Sequence, residues 1–241
     1  MKAMILAAGL GTRLAPLTDT RPKALVMLKG KTLLETVVQK LIAYRFNEII
    51  INVHHFAGQI KDFLDAHQNF GIRIAVSDES GQLLDTGGGI KKAAWFFDDG
   101  QPFLVHNVDI ISNINLAWLY ESHLASEAAV TLACSVRESS RCFLFDNQQR
   151  LCGWKNKKTG EQKITVASAH PLTPMAFNGI HVINPPVTGK LPQGAFSIVD
   201  AYLKLAPEAV IKAFDASNYS VVDVGKSAQG LPFTSENYKT E

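Results

Sequence analysis

The sequence predicts an α/β protein, a Rossmann-like mixed and mostly parallel sheet with helices on both faces and a β-rich second half. Three observations predict it. Apolar strand-like runs alternate with helix-period segments through roughly the first half, the pattern that βαβ crossovers leave in a sequence. The first of those runs ends directly in glycines, as a buried parallel strand entering a tight turn does. The later segments are richer in strand patterns and hairpin turns.

Residues 3–7 are a short apolar run and read as the first buried strand. Across 32–46, Leu33, Val37 and Leu41 recur at four-residue spacing beside Leu34, Val38 and Ile42, which gives one apolar helical face. The β-branched stretch 48–53 reads as a second strand, 58–67 as a helix and 72–76 as a third strand. A helix is predicted over 89–97 and a strand over 102–106. Beyond them 128–136, 142–146 and 177–183 read as strands, Asn147-Gln148-Gln149-Arg150 as a hairpin turn and 195–205 as a helix. Residues 1–229 are expected to form a single domain and 230–241 a polar, frayed tail.

Composition excludes several classes. At 241 residues, 46% hydrophobic and 19% charged, the chain can bury a sizeable core and is no disordered polar tail. Lys+Arg 24 against Asp+Glu 22 leaves +2, so there is no basic footprint for nucleic acid. Cys134, Cys142 and Cys152 lack C-x-x-C spacing, which argues against a disulfide scaffold or a zinc site. No apolar run approaches the roughly 20 residues of a membrane span. The apolar start after Met1-Lys2 stops at Gly9, too short and wrongly flanked for a secretion signal. A cytoplasmic protein with no nucleic-acid or membrane partner is expected, as a monomer or small homo-oligomer.

The most informative segment is Leu6-Ala7-Ala8-Gly9-Leu10-Gly11-Thr12-Arg13-Leu14-Ala15-Pro16-Leu17-Thr18. Glycines after a buried strand let the backbone approach a ligand, and successive N–H groups there can cradle phosphate oxygens. Arg13 adds a forked cation suited to phosphate. Neither G-x-G-x-x-G nor G-x-x-x-x-G-K-[ST] is present, and a G-x-G alone is equally a tight βα turn. Arg21-Pro22-Lys23-Ala24-Leu25 follows in the same loop. The composite resembles the signature of the sugar-1-phosphate nucleotidyltransferases, L-A-[AG]-G-x-G-T-R-L-x-P-L-T followed by P-K-x-L. The resemblance runs over most of the chain.

What the resemblance implies is the nucleotide-diphospho-sugar transferase fold, with a β-rich sugar-binding part in the second half. It also implies transfer of a nucleotidyl group from an NTP to a sugar 1-phosphate, giving NDP-sugar and pyrophosphate. Ala8, Gly9, Gly11 and Thr12 would hold the nucleotide phosphates, and Arg13 the β- and γ-phosphates. Lys23 would sit on the reacting phosphate or the sugar phosphate. In Phe103-Leu104-Val105-His106-Asn107-Val108-Asp109, Asp109 ends a strand and is either a turn cap or, as in the family, a ligand of Mg²⁺; Asn107 would face the nucleotide. Val221-Val222-Asp223-Val224-Gly225-Lys226 resembles the family's W-x-D-[VI]-G-T and makes Asp223 the second Mg²⁺ carboxylate. Val108, Val222 and Lys226 depart from the family pattern.

Leu84-Asp85-Thr86-Gly87-Gly88-Gly89 reads bottom-up as a helix N-terminus with Thr86 as cap, or as a flexible turn. The resemblance makes Thr86, Gly87 and Gly88 a nucleotide-recognition loop. Glu79 is either an acceptor for a nucleobase N–H or a solvated surface carboxylate. On the sugar side, Phe177-Asn178-Gly179-Ile180 implies contacts from Asn178 and Gly179. Gly153-Trp154-Lys155-Asn156-Lys157 sits where many members have F-x-E-K-P, which makes Lys157 a phosphate lysine and Asn156 the replacement of a sugar-binding Glu; a solvated basic edge explains the lysines equally well. His54 and His55 stand where they line a pocket mouth or pack as ordinary histidines.

The D-T-G-G-G-I form looks most like the N-acetylmuramate 1-phosphate uridylyltransferase branch, which implies UTP and N-acetylmuramate 1-phosphate in cell-wall sugar metabolism. The alternative on the same fold is mannose or heptose 1-phosphate with GTP; a choline-phosphate cytidylyltransferase is more distant. A non-catalytic nucleotide-sugar-binding regulatory protein is a different class, kept open by Val108, Val222 and Lys226. No left-handed β-helix repeat is visible, so the acetyltransferase extension of some relatives is expected to be absent.

Overall fold

A computed structural model describes residues 1–227; the expected tail at 230–241 lies outside the described residues. The chain opens with β1 (Lys2–Leu6), a long loop, and the two-residue strands β2 (Met27–Leu28) and β3 (Lys31–Thr32). Helix α1 (Leu33–Ala43), β4 (Glu48–Val53), α2 (Ala57–Ala66), β5 (Arg73–Asp78), α3 (Asp85–Lys92) and β6 (Phe103–Asn107) follow. This is the alternation the sequence predicts, with boundaries displaced by a few residues. Next come β7 (Ile110–Ser112), α4 (Leu116–Leu124), β8 (Val130–Ser135), β9 (Arg141–Phe145), β10 (Leu151–Asn156), β11 (Gln162–Ile164) and β12 (Thr173–Ile183). The described part closes with α5 (Pro186–Lys190), α6 (Ile198–Leu205), β13 (Ile211–Asp215), β14 (Val221–Asp223) and α7 (Val224–Ser227).

The main sheet runs β11-β10-β9-β12-β6-β1-β4-β5, with β8 and β13 joined through β12. Strands β5, β4, β1 and β6 are parallel, while β12 is antiparallel to β6, β8 and β9. The chain leaves β1 toward β4 and later returns to β6 on its other side. Their carboxyl ends therefore diverge into a crevice, the switch point where ligands bind in open α/β sheets.

Two cores cover the two faces. On β1, Ala3 and Ile5 pack with α1 and α2, whereas Met4 packs with α3 and α6. On β4, Ile49, Ile51 and Val53 join the first core and Ile50 the second. This period-2 division explains why the strands read as continuous apolar runs. Helix α1 buries Leu33, Leu34, Val37, Val38 and Leu41, and the Thr32 hydroxyl caps it by accepting from Glu35 N–H at 3.0 Å. Each such fully buried Leu or Val contributes on the order of 1.5–3 kcal/mol.

The sequence does not disclose β2, β3, β7, α4, β10, β11, α5, β13, β14 or α7. Helix α3 begins at Asp85 rather than 89 and ends in a 3₁₀ turn over Ala93–Phe96. Helix α6 begins at Ile198 rather than 195 because Phe196 bonds through its backbone to Leu84 and Gly87.

Candidate active site

The loop after β1 is built to stand open. Gly11 lies at φ 70°, and a Cβ there would come 2.9 Å from Thr18 Cγ2 and 3.1 Å from Lys23 Cβ. Its carbonyl accepts from Leu14 N–H (2.8 Å) and the Thr18 hydroxyl (3.0 Å), folding the 3₁₀ turn Thr12–Leu14. Leu14 is thereby buried while Gly9, Thr12 and Arg13 stay exposed. A cavity of about 500 Å³ is lined by this loop, by Lys23, and by Asn107 and Asp109 at the end of β6. A second cavity of about 970 Å³ shares Arg13, Asp85, Thr86, Asn107 and Asp109 with it and extends toward β9 and β10. The two form one elongated crevice.

Lys23, Asp109 and Asp223 meet within it. The Lys23 ammonium forms an ion pair with the Asp109 carboxylate, and both side chains are mostly shielded, at 11% and 16% exposure. Asp223 arrives from the far end of the chain because β14 pairs antiparallel with β7, setting Asp223 opposite Ile110. Val224 N–H donates to the Asp109 carbonyl at 3.0 Å and fixes that approach. Lys40 on α1 secures β7 by donating to the Ser112 carbonyl and hydroxyl at 2.6 and 3.0 Å; burial pushes its pKa down to about 8.

A Cβ on Gly225 would stand 2.7 Å from Lys23 Nζ, 3.3 Å from Asp223 Oδ1 and 3.4 Å from Asp109 Oδ2. Its backbone does not need glycine; the space does. Two carboxylates face one small cradle beside a cation, and among the described residues no third His, Cys, Asp or Glu completes an all-protein cage. That donor set fits Mg²⁺, which takes one or two carboxylates and completes its octahedron with phosphate oxygens and water. Val108 is buried in the first core, so this departure leaves the carboxylate in place. Lys226 pairs with Asp223 at 3.3 Å.

The wall formed by α3 differs from the sequence reading. Thr86 does not cap α3; its hydroxyl accepts from Ile198 N–H at 3.0 Å and docks α6. Gly87 N–H is spent on the Phe196 carbonyl (2.9 Å), and a Cβ on Gly87 would lie 2.2 Å from the Phe196 ring. A Cβ on Gly88 would lie 2.2 Å from the Gly194 carbonyl oxygen. These two glycines serve close packing against 194–196, and Asp85 and Thr86 supply the crevice wall. Glu79 is neither solvated nor on the crevice lining: it is 1% exposed and accepts from Asn52 and Leu84. His54 bonds the Glu79 carbonyl and His55 packs on Phe56, so both are structural.

The sugar-side expectations are corrected more heavily. Asn156 lines the larger cavity, whereas Lys157 is exposed outside its lining; Arg141, Lys158 and Lys163 line it from the antiparallel strands and their turn, with Arg13 and Lys226 at its other end. Asn178 is 1% exposed, with its amide donating to Ser135 Oγ (2.7 Å) and accepting from Arg137 (3.1 Å). It holds Arg137 and does not face the crevice. Gly179, at φ 72°, lies beneath Asn107, where a Cβ would stand 2.7 Å from the amide nitrogen. Its role is to seat Asn107 at the junction of the two cavities.

The profile of the family described as "Nucleotidyl transferase" matches residues 2–142. The chain is 32% identical over 212 residues to an N-acetylmuramate alpha-1-phosphate uridylyltransferase of Caulobacter vibrioides, covering 86% of this chain and 84% of the relative. It is 30% identical over 241 residues to a mannose-1-phosphate guanyltransferase of Yarrowia lipolytica, covering 97% of this chain and 63% of the relative. HddC from Yersinia pseudotuberculosis, solved in complex with GMP-PN, shares the fold at TM-score 0.70 and 22% identity, over 93% of each chain. No helix among the described residues is long and apolar enough to cross a membrane.

Proposed function

Because the chain belongs to the nucleotidyl transferase family, we propose that it joins a sugar 1-phosphate to the nucleotidyl group of an NTP, with UTP and N-acetylmuramate 1-phosphate as the pair. The observation that carries the reaction is the convergence of Lys23, Asp109 and Asp223 on the cradle at Gly225, beneath the open glycine loop. The choice of substrates rests on the uridylyltransferase relative, which matches along most of both chains.

A phosphate-ester oxygen of the sugar 1-phosphate is already anionic, so its attack on the α-phosphorus needs no general base. The new P–O bond forms as the α–β bridging P–O bond breaks, and its electron pair leaves on pyrophosphate. What the protein supplies is position and charge. Lys23 carries three donors, enough to keep Asp109 and a phosphate oxygen together. Arg13, exposed on the rim, offers its fork to the departing pyrophosphate. Residues 8–12 line the same cavity, where their backbone N–H groups would serve as phosphate donors. Asp109 and Asp223 would hold Mg²⁺, which when bound neutralises triphosphate oxygens and templates in-line attack.

The second reading is a mannose-1-phosphate guanylyltransferase, favoured by a relative aligned over 97% of this chain. A non-catalytic sensor is disfavoured by the intact set Arg13, Lys23, Asp109 and Asp223. Residues 1–229 are taken as one catalytic domain. Pyrophosphate release from each of the four NTPs, against N-acetylmuramate, mannose and heptose 1-phosphates with Mg²⁺, tests the proposal. Turnover with UTP and N-acetylmuramate 1-phosphate at least tenfold above every other pair is expected; a preference for GTP selects the second reading, and no release with any pair overturns both.

A further inference from the structure

A buried polar pair joins the two loops that flank the nucleotide cavity, in a place where the sheet is otherwise apolar. Asn52 interrupts the run Ile49-Ile50-Ile51 of β4 and is 2% exposed. Its register neighbours are Leu6 on β1 and Ser77 on β5. Asn52 Oδ1 accepts from Ala7 N–H at 2.7 Å, at the root of the glycine loop. Its Nδ2 donates to Glu79 Oε1 at 2.7 Å, and Glu79 Oε2 accepts from Leu84 N–H at 3.1 Å, one residue before α3. Among the described residues Glu79 forms no ion pair; N–H donors satisfy its buried carboxylate. Gly89 lies over the pair, and a Cβ there would stand 2.7 Å from Asn52 Nδ2 and 2.8 Å from Glu79 Oε1.

The three bonds all point toward the carboxylate: Ala7 donates to Asn52, Asn52 donates to Glu79, and Leu84 donates to Glu79 from the other side. We propose that Asn52 and Glu79 are positioning residues, a relay that sets the distance between the loop after β1 and the wall begun by Leu84, and so sets the width of the nucleotide cavity. The reading rests on the nucleotide site proposed above. Asn52 lines that cavity together with Ala7, Leu83 and Asp85, so a shift at either end of the relay reaches the ligand space directly. Buried networks of this kind cost little while every member is satisfied and much when one is not.

The polarity supplies the test. In Glu79→Gln no orientation of the two amides satisfies all three bonds. In Asn52→Asp two carboxylates face each other. In the double variant Asn52→Asp/Glu79→Gln the new carboxylate at 52 accepts from Ala7 and from the new amide at 79, whose oxygen accepts from Leu84, so every bond is restored with the charge moved. Amide hydrogen exchange over 7–14 and 84–90, and the Kd for UTP with Mg²⁺, are measured on all four proteins.

Asn52→Asp is expected to speed exchange in both segments and raise the Kd, each about tenfold or more, and the double variant to return both within about threefold of wild type. A merely structural role would lower the melting temperature without this paired pattern or its rescue. Should Asn52→Asp not fold, Glu79→Gln must by itself speed exchange in at least one segment and weaken UTP by about threefold. Unchanged exchange in both segments, or a double variant no better than Asn52→Asp, overturns the relay. A wild type that binds none of the four NTPs while showing the exchange pattern refutes the nucleotide reading and upholds the coupling of the loops.

Discussion

The two halves of the crevice hold their functional side chains by different devices. In the smaller cavity, proposed to take the nucleotide, parallel strands end side by side and consecutive residues line the space: Ala7 to Arg13 after β1, and Asn107 to Asp109 from the last residue of β6 onward. In the larger cavity, proposed to take the sugar phosphate, antiparallel strands present side chains from their faces. Arg141 stands opposite Asn156, and Lys163 opposite Trp154 with its ammonium 5.6 Å from that ring. A loop keeps its function in a contiguous motif, whereas a sheet face distributes it over every second residue of several strands.

The largest expected effect tests whether charge chemistry is confined to the first half. Asp109→Asn, Asp223→Asn and Lys23→Ala should each lower kcat by about 10²–10³-fold, because Lys23 neutralises phosphate charge and the two carboxylates would hold the Mg²⁺ that does the same. Lys157→Ala should stay within about twofold, since Lys157 is exposed and does not line the crevice. Pyrophosphate-release kinetics on the four variants check this. A loss at Lys157 as large as that at Lys23 would erase the distinction between the halves.

A smaller effect separates the halves by readout. Gly225→Ala puts a methyl against the tips of Lys23, Asp109 and Asp223, which can give way, so kcat should fall about tenfold with little change in unfolding midpoint. Gly153→Ala in β10 would press a methyl to 2.3 Å from the Lys163 backbone oxygen, which cannot give way cheaply. It should cost about 1–3 kcal/mol of stability, with kcat per folded molecule retained. Urea titrations beside single-substrate kinetics show whether the two losses trade places.

The same contrast governs what the sequence disclosed. The alternation of β1 to β6 and the loop 6–25 were legible because apolar period and glycine placement are local properties. Asp223 is positioned by the β7–β14 pairing, which joins residues about a hundred positions apart, and only a resemblance pointed to it. In the second half the turn at 147–150 was legible but the facing of its strands was not. A bulge between Leu151 and Gly153 shifts the register, and a one-residue slip exchanges inward and outward side chains. The sequence therefore leaves open whether Lys157 is a phosphate lysine or part of a solvated basic edge, and in the structure Asn156, Arg141, Lys158 and Lys163 line the crevice while Lys157 does not. Gly87 and Gly88 read as ligand-facing from the sequence because absence of a Cβ does not say whether a phosphate or a neighbouring segment needs the room.

The smallest effect concerns the seam itself, where β6 meets β12. His106 and His181 are completely buried there, and burial pushes both down to about 3, with Lys40 assisting at His106 and His106 at His181. His106 lies opposite Ile180 of the first core and His181 opposite Val105 of the second, so the rings point to opposite faces. His106 Nδ1 donates to the Asn107 carbonyl at 2.8 Å, while His106 Nε2 and both nitrogens of His181 have no protein partner. Each histidine binds a proton near its ordinary 6.5 when unfolded and only near 3 when folded. Between those values the unfolded chain carries the extra protons, so stability holds above pH 6.5 and falls as the pH drops toward 3, by about 1.4 kcal/mol per pH unit for each histidine. Buried His123 shifts in the same direction. His181→Leu removes one of these protons and leaves no backbone group unpaired. Unfolding free energies from urea titrations between pH 7 and 5 should therefore decline less steeply in His181→Leu than in wild type, by roughly 1 kcal/mol per unit. Parallel slopes would mean that His181 is already solvated, and that the seam between the two halves stands open to water.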